Sequence, residues 1–402
     1  MAGYLSNWKA KLLLAAAVAL LALAVVGCGD SENASPTAAL IASPTAGPPA
    51  TLTATPPAAT SAEALTERGP FAVGVTTLTL VDKSRSTDAN GSYPGAASRT
   101  LVTEVWYPAQ GAKARMEIKD APLDRTGAPY PLLVYSHGIL GSRRYAASYT
   151  THLASHGYVV ISTDYPLTNL NAPGGPRLSD VLNQPADVSF IIDSILTLPL
   201  LQGAIDEDAI GLTGHSLGGL TTVLASYGPL RDERVKAALP IAGPTCLVGA
   251  DTYDSPALPM LVMGGTADAV VAWPSVQAAY DMAPPPKYLL ALLGGNHIRF
   301  ADLDVEDSFL PSLQTLPGFM DENRRIVAAT GADLASCVAT APADLPTSPA
   351  LTEDRQHELL DLFATAFFDY YLKGDESAAY FLSPEFSAGL PEVRLQEELG
   401  AD

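Results

Sequence analysis

Gly214-His215-Ser216-Leu217-Gly218 has the G-x-S-x-G spacing that presents a serine hydroxyl on a sharp turn between a strand and a helix. Its context fits that chemistry. The apolar run Ala209–Thr213 reads as a buried strand leading into the turn, and the Ala/Leu-rich stretch Leu217–Tyr227 as the helix leaving it. Glycines must flank the serine because neighbouring backbone approaches closely there, and Gly219 adds room. The turn also sets Ser216 at a helix N-terminus, where aligned peptide dipoles favour developing negative charge.

A serine nucleophile needs a base, and the partners of an elbow serine follow it in the order acid, then histidine. Two histidines follow Ser216. His357 sits beside Arg355 and Glu358 on what reads as a solvated helix face, whereas His297 ends the loop Gly294-Gly295-Asn296-His297 directly after a strand. His297 is therefore the expected base. Asp268 closes Gly264-Gly265-Thr266-Ala267-Asp268 after the strand Leu258–Met263 and is the expected acid; Asp251 and Asp254, in the preceding loop, are its competitors. The oxyanion of a tetrahedral intermediate needs two backbone N–H donors. Leu217, after the nucleophile, supplies one. Ile139, after Ser136-His137-Gly138 at the end of another apolar strand, supplies the second, with His137 orienting the loop.

These residues need a scaffold, and the chain alternates strand and helix. Phe71–Val81 and Arg99–Tyr107 read as early strands; Pro131–Tyr135, Tyr158–Thr163, Ala209–Thr213, Val235–Ala242, Leu258–Met263 and Tyr288–Leu293 are short apolar runs suited to parallel strands buried on both faces. Helices are expected over Arg143–His156, ended by Gly157, from Pro185 to about Leu198, and over Glu353–Leu372, capped by Thr352. Residues 301–350 lack a clear period and read as an irregular insertion near the site. His152 and His156, four apart, could span a metal, but no H-E-x-x-H glutamate accompanies them. Arg143 and Arg144 follow the oxyanion loop, where they could meet an anionic substrate group, but such a pair reads more readily as a solvated helix start. No metal and no cofactor is implied.

Composition narrows the class. Of 402 residues, 43 are Asp or Glu and 23 Lys or Arg, a formal charge of −20 that disfavours nucleic acid as a partner. With 48% hydrophobic residues the chain can build a large core. Lys9 and Lys11 precede the apolar run Leu12–Val26, too short to span a bilayer and suited to a signal peptide. Val25-Val26-Gly27-Cys28 resembles a bacterial lipobox, which implies lipid on Cys28. Ser, Pro, Thr and Ala then dominate to residue 66, a composition unable to repay its ordering entropy. The expected organisation is a lipoprotein-type signal peptide at 1–27, a linker at 28–66 and a catalytic domain at 67–402. With Cys28 taken by lipid, Cys246 and Cys337 remain, an even number in an exported chain, and are expected to pair.

The segment from about Arg99 to Phe300 resembles the α/β-hydrolase branch containing platelet-activating-factor acetylhydrolases, bacterial cutinase-like polyester hydrolases and dienelactone-hydrolase-like proteins. Tyr135-Ser136-His137-Gly138, Leu153-Ala154-Ser155-His156-Gly157-Tyr158, the Gly214–Gly219 elbow and His297-Ile298-Arg299-Phe300-Ala301-Asp302 carry the likeness. It implies an α/β fold with a mostly parallel central sheet of about eight strands and helices on both faces. It also implies Ser216, Asp268 and His297 as the triad, with Ile139 and Leu217 as oxyanion donors. Two departures matter. Acetylhydrolases carry their acid after the strand matching Val235–Ala242, where this chain has no carboxylate, and dienelactone hydrolases use a cysteine where this chain has Ser216. The expectation is an exported, lipid-anchored bacterial serine carboxylic-ester hydrolase, monomeric, acting on small-molecule or polymeric esters. The alternatives are an inactive surface binding protein on the same fold, or a peptidase or acyltransferase with the same triad.

Overall fold

A computed structural model describes residues 61–114, 116–254, 257–302, 318–333, 337, 345–346 and 348–400. The expected signal peptide, Cys28 and nearly all of the linker lie outside them. The strands are β1 (Ala72–Asp82), β2 (Arg99–Ala109), β3 (Ile118–Lys119), β4 (Tyr130–Ser136), β5 (Val159–Asp164), β6 (Ile205–His215), β7 (Val235–Ile241), β8 (Met260–Gly265), β9 (Lys287–Leu292) and β10 (Val393–Glu398). They form one sheet in the order β10-β9-β8-β7-β6-β4-β5-β2-β1-β3. The block β5-β4-β6-β7-β8-β9 is parallel throughout, while β2 and β10 join its two ends antiparallel. This is the α/β-hydrolase fold.

The sheet has ten strands among the described residues rather than about eight. The two additional strands lie in its outer parts. β3 is two exposed residues long, and β10 alternates buried Val393 with charged positions, so neither carries the continuous apolar run by which the central strands are recognised.

The α-helices among the described residues are α1 (Ala62–Thr66), α2 (Ala147–Ser155), α3 (Gln184–Leu196), α4 (Leu217–Tyr227), α5 (Trp273–Met282), α6 (Phe319–Thr330), α7 (Glu353–Lys373) and α8 (Pro384–Ser387). Period-2 alternation sends the strand side chains to opposite faces. Leu133 and Tyr135 of β4 pack with Tyr149 and Leu153 of α2 and Phe363 and Phe367 of α7; Leu132 and Val134 of the same strand pack with Val188, Ile191 and Ile192 of α3. Both faces are therefore apolar, as the unbroken runs require.

Three boundaries differ from expectation. The folded body begins before residue 67: α1 is capped by Ser61, and its Leu65 is buried in the core. α2 starts at Ala147 rather than at Arg143. Arg143 is drawn out of the helix by Asp164, which takes its backbone N–H and Nη1 at 2.6 Å each, and by Glu104 at 3.0 Å; Arg144 pairs with Glu104 and Glu117 and lies over the Trp106 ring. The arginine pair is thus tied to acids on β2 and β5 and to Glu117, and is not a solvated helix start. Finally, the stretch 301–350 is not wholly irregular, since it holds α6. That helix buries only Asn323 and Ile326, so its apolar period is too sparse to read.

Candidate active site

β6 delivers Ser216 to the turn before α4. The serine has φ +58° and ψ −123°, a strained conformation for a residue with a Cβ. Its N–H donates to the Ile241 carbonyl at 2.9 Å. The glycines around it are needed for clearance. A Cβ on Gly218 would lie 1.9 Å from the Ser136 carbonyl oxygen, and one on Gly214 would lie 2.4 Å from the Gly218 oxygen. The elbow is therefore wedged against the end of β4.

His297 follows β9 and reaches back to the serine, with Nε2 2.9 Å from Ser216 Oγ and Nδ1 2.7 Å from Asp268 Oδ2. Ser216 is 5% exposed and His297 3%. The other carboxylate oxygen, Asp268 Oδ1, accepts the backbone N–H groups of Val270 at 2.8 Å and Val271 at 2.7 Å. Those two bonds leave Oδ2 aimed at the imidazole. A carboxylate facing Nδ1 requires that nitrogen to carry the proton, so Nε2 presents a lone pair to the serine hydroxyl. This geometry lets the imidazole accept a proton from the serine hydroxyl. Asp251 and Asp254 are exposed and line a cavity of about 670 Å³ with Tyr227, Leu230 and Arg231 at the far end of α4. His357 is half-buried on α7 and bonds neither Ser216 nor Asp268.

The loop after β4 lies against the serine. An added Cβ on Gly138 would be 2.9 Å from Ser216 Cβ. Among the described residues, neither the Ile139 nor the Leu217 backbone N–H donates to a protein acceptor, which leaves both for a ligand. His137 is fully buried. Its Nε2 accepts the Tyr165 N–H at 3.2 Å, so Nδ1 carries the proton and donates to the Gly138 carbonyl at 2.7 Å. Burial holds its imidazole below the usual histidine range. The loop is tied further by Leu140, at φ +63°, whose N–H donates to the Thr168 carbonyl at 2.8 Å.

Some neighbours escape sequence reasoning. His215, fully buried, packs its ring 4.5 Å from that of His297 and is flanked by Tyr145 and Phe300; burial, then the neighbouring His297, keeps it well below the usual histidine range. The amides of Val270 and Val271 carry no side-chain signal at all. His152 and His156 do not form a metal site: His152 Nε2 faces Thr365 Oγ1 at 3.1 Å and His156 Nε2 faces the Glu67 carbonyl at 2.9 Å. Among the described residues no cluster of His, Cys, Asp and Glu is placed to hold a metal. Cys246 and Cys337 are joined in a disulfide, with Cα atoms 5.2 Å apart, just beyond β7. No described helix is long and apolar enough to cross a membrane.

The proteins to which this chain is similar bear the names of ester hydrolases. The family described as platelet-activating factor acetylhydrolase, isoform II, matches residues 110–166, which include the Gly138–Ile139 loop and stop short of Ser216. The platelet-activating factor acetylhydrolase of Bos taurus is 22% identical over 259 residues, covering 52% of this chain and 57% of the relative. A cutinase of Thermobifida alba is 27% identical over 207 residues, covering 50% of this chain and 63% of the relative. The chain thus spans little more than half the length of the curated acetylhydrolase. A ferulic acid esterase from Streptomyces cinnamoneus has a similar structure, with a TM-score of 0.55 and 22% identity, over 81% of this chain and 97% of that one.

Proposed function

We propose that this α/β-hydrolase is a serine carboxylic-ester hydrolase working through an acyl-enzyme. The observation that carries the reading is the continuous chain Asp268 Oδ2, His297, Ser216 Oγ, at 2.7 and 2.9 Å, beside two backbone donors with no acceptor among the described residues. Ser216 Oγ attacks the ester carbonyl while His297 Nε2 takes its proton. Asp268 stabilises the imidazolium that results, and the Ile139 and Leu217 amides bind the oxyanion. His297 then protonates the leaving alkoxide, which departs as the alcohol. Water, deprotonated by the same imidazole, attacks the acyl-serine and releases the acid, and the proton returns to Ser216.

The substrate class is an ester of a short-to-medium acyl group, a phospholipid-type acetyl ester or a polyester. The names of the relatives support this, being an acetylhydrolase, a cutinase and a ferulic acid esterase. Export and lipid anchoring through Cys28 rest on the sequence of residues 1–28. Two measurements test the reading. A fluorophosphonate probe labels Ser216 stoichiometrically, and a panel of p-nitrophenyl esters of graded chain length gives turnover that Ser216→Ala abolishes. Absence of labelling and turnover in the folded protein refutes catalysis and favours a binding protein on the same scaffold.

A further inference from the structure

His297 is held by more than its bond to Asp268. Its loop is gripped from the N-terminal end of α7, some 60 residues further along the chain. Gln356, in the first turn of α7, is fully buried, and its carboxamide lies against the backbone of Asn296, the residue before His297. Oε1 accepts the Asn296 N–H at 3.0 Å, and Nε2 donates to the Asn296 carbonyl at 2.8 Å. The primary amide thus answers both polar groups of one residue, as a neighbouring strand would. The segment just before α7 adds to the grip: the Leu351 N–H donates to the Gly294 carbonyl at 2.9 Å, and Arg299 Nη1 donates to the Leu351 carbonyl at 2.5 Å. Gly294, at φ +79°, approaches so closely that an added Cβ would lie 2.0 Å from the Pro349 carbonyl oxygen.

The geometry points to Gln356 as the positioning residue for the base. Asp268 fixes the tautomer and one edge of the His297 ring. It does not fix the height of the backbone from which the ring projects. Gln356 does, because it holds the peptide groups flanking Asn296 from both directions. Reaction rates fall steeply with misplacement of this kind, about a hundredfold for 1 Å. The inference rests on the reading of His297 as general base.

Two variants test it. Gln356→Met keeps the volume and removes both hydrogen bonds. With a p-nitrophenyl ester its kcat should fall ten- to hundredfold, with KM changed less than twofold and phosphonate labelling slowed in proportion. Gln356→Glu presents a carboxyl whose ionised form accepts the Asn296 N–H but opposes the Asn296 carbonyl, while its protonated form donates to that carbonyl and restores both bonds. Burial raises such a pKa. The ratio of its kcat to that of the unaltered protein should therefore rise several-fold as pH is lowered from 8 to 6, while the Met ratio stays flat. A Met variant within threefold of the unaltered protein, or a Glu ratio that does not move with pH, overturns the assignment. Failure of both variants to fold also overturns it, by assigning Gln356 to stability alone. The unaltered protein, assayed alongside, separates the two claims: if it neither turns over esters nor labels, the esterase reading itself has failed.

Discussion

Replacing Gly138 by alanine puts the oxyanion assignment under direct strain. The added Cβ would lie 2.9 Å from Ser216 Cβ, 3.3 Å from the His215 carbonyl oxygen and 3.4 Å from Ser216 Oγ. Non-bonded carbon atoms rest at about 3.5–4.0 Å, so about 0.6–1 Å of separation must be found. The serine cannot readily supply it. Its own N–H is bound to Ile241, and the elbow is packed on Ser136. The loop must retreat instead, carrying the Ile139 N–H away from the position of the oxyanion. Gly138 does not occupy a left-handed conformation, so alanine adds no backbone strain and the effect is one of displacement. Complete loss of one oxyanion donor costs about 2.7–4 kcal/mol. A donor moved by part of its hydrogen-bond length should cost about 1.4–2.7 kcal/mol, or ten- to hundredfold in kcat, with KM little changed because the donors grip the transition state. Overpacking should lower stability by about 1–3 kcal/mol. Steady-state kinetics on p-nitrophenyl acetate and butyrate, with thermal unfolding in parallel, measure both. A kcat within threefold of the unaltered protein would refute the placement of the Ile139 donor.

Asp268→Asn should lower kcat about 10⁴-fold by favouring the wrong imidazole tautomer; Asp251→Asn and Asp254→Asn should leave kcat within threefold, and the reverse ranking in the same assay would transfer the acid role. Burial depresses the imidazoles of His137, His152 and His215, so below pH 6.5 the unfolded chain binds protons that the folded one does not, and stability is lost as pH falls. Burial also raises the carboxyls of Asp187 and Asp361, which opposes part of this loss, so stability should fall more gently from pH 6.5 to 5.5; urea unfolding that is flat across this range would contradict it. Reducing the Cys246–Cys337 bond, which closes a loop of 91 residues, should lower stability by roughly 4 kcal/mol on the chain-entropy argument, read as a drop in urea midpoint with dithiothreitol. The mature protein should begin at a lipid-bearing Cys28; an intact mass with unmodified Cys28, or a start beyond it, would rule out the anchor.

The central sheet was legible because each parallel strand is a short unbroken apolar run, which both covered faces demand. Ser216 and His297 were legible because a strand-turn-helix elbow and a glycine loop leave local marks. Asp268 was favoured over Asp251 and Asp254 by its place after a strand and by the family resemblance; the N–H groups of Val270 and Val271, which fix its orientation, are invisible to any side-chain pattern. α6 escaped because it buries only Asn323 and Ile326. Arg143 and Arg144 were misread for another reason: their partners Glu104, Glu117 and Asp164 come from other parts of the chain, and no local rule predicts that an acid on β2 will pull an arginine out of a helix.

The same division separates the reacting atoms from what holds them. The two proposed oxyanion donors, Ile139 and Leu217, sit on segments far apart in sequence, yet a buried hydrogen-bond path joins those segments. Leu140 donates to the Thr168 carbonyl; the Thr168 hydroxyl accepts from Gln184 Nε2 at 2.9 Å; Gln184 Oε1 accepts from the Thr221 hydroxyl on α4, the helix that begins with Leu217. Nearby, Arg99, 1% exposed, holds Asp180 and Asp187 on either side of Gln184 with bonds of 2.6–3.1 Å. A buried guanidinium with two carboxylates is expensive to desolvate and costly to break, so it suits a fixed connection rather than a gain in net stability. Gln184 and Gln356 thus act alike. Each is a fully buried carboxamide used as donor and acceptor at once, one between the oxyanion loop and the nucleophile helix, the other on the histidine loop. Leucine in either place would fill the space and leave buried polar groups unsatisfied, at about 1–3 kcal/mol each. The Asp268–His297–Ser216 distances of 2.7 and 2.9 Å are thus flanked by two neutral amides, which need no charge and do not titrate with pH, beside the charged connection of Arg99.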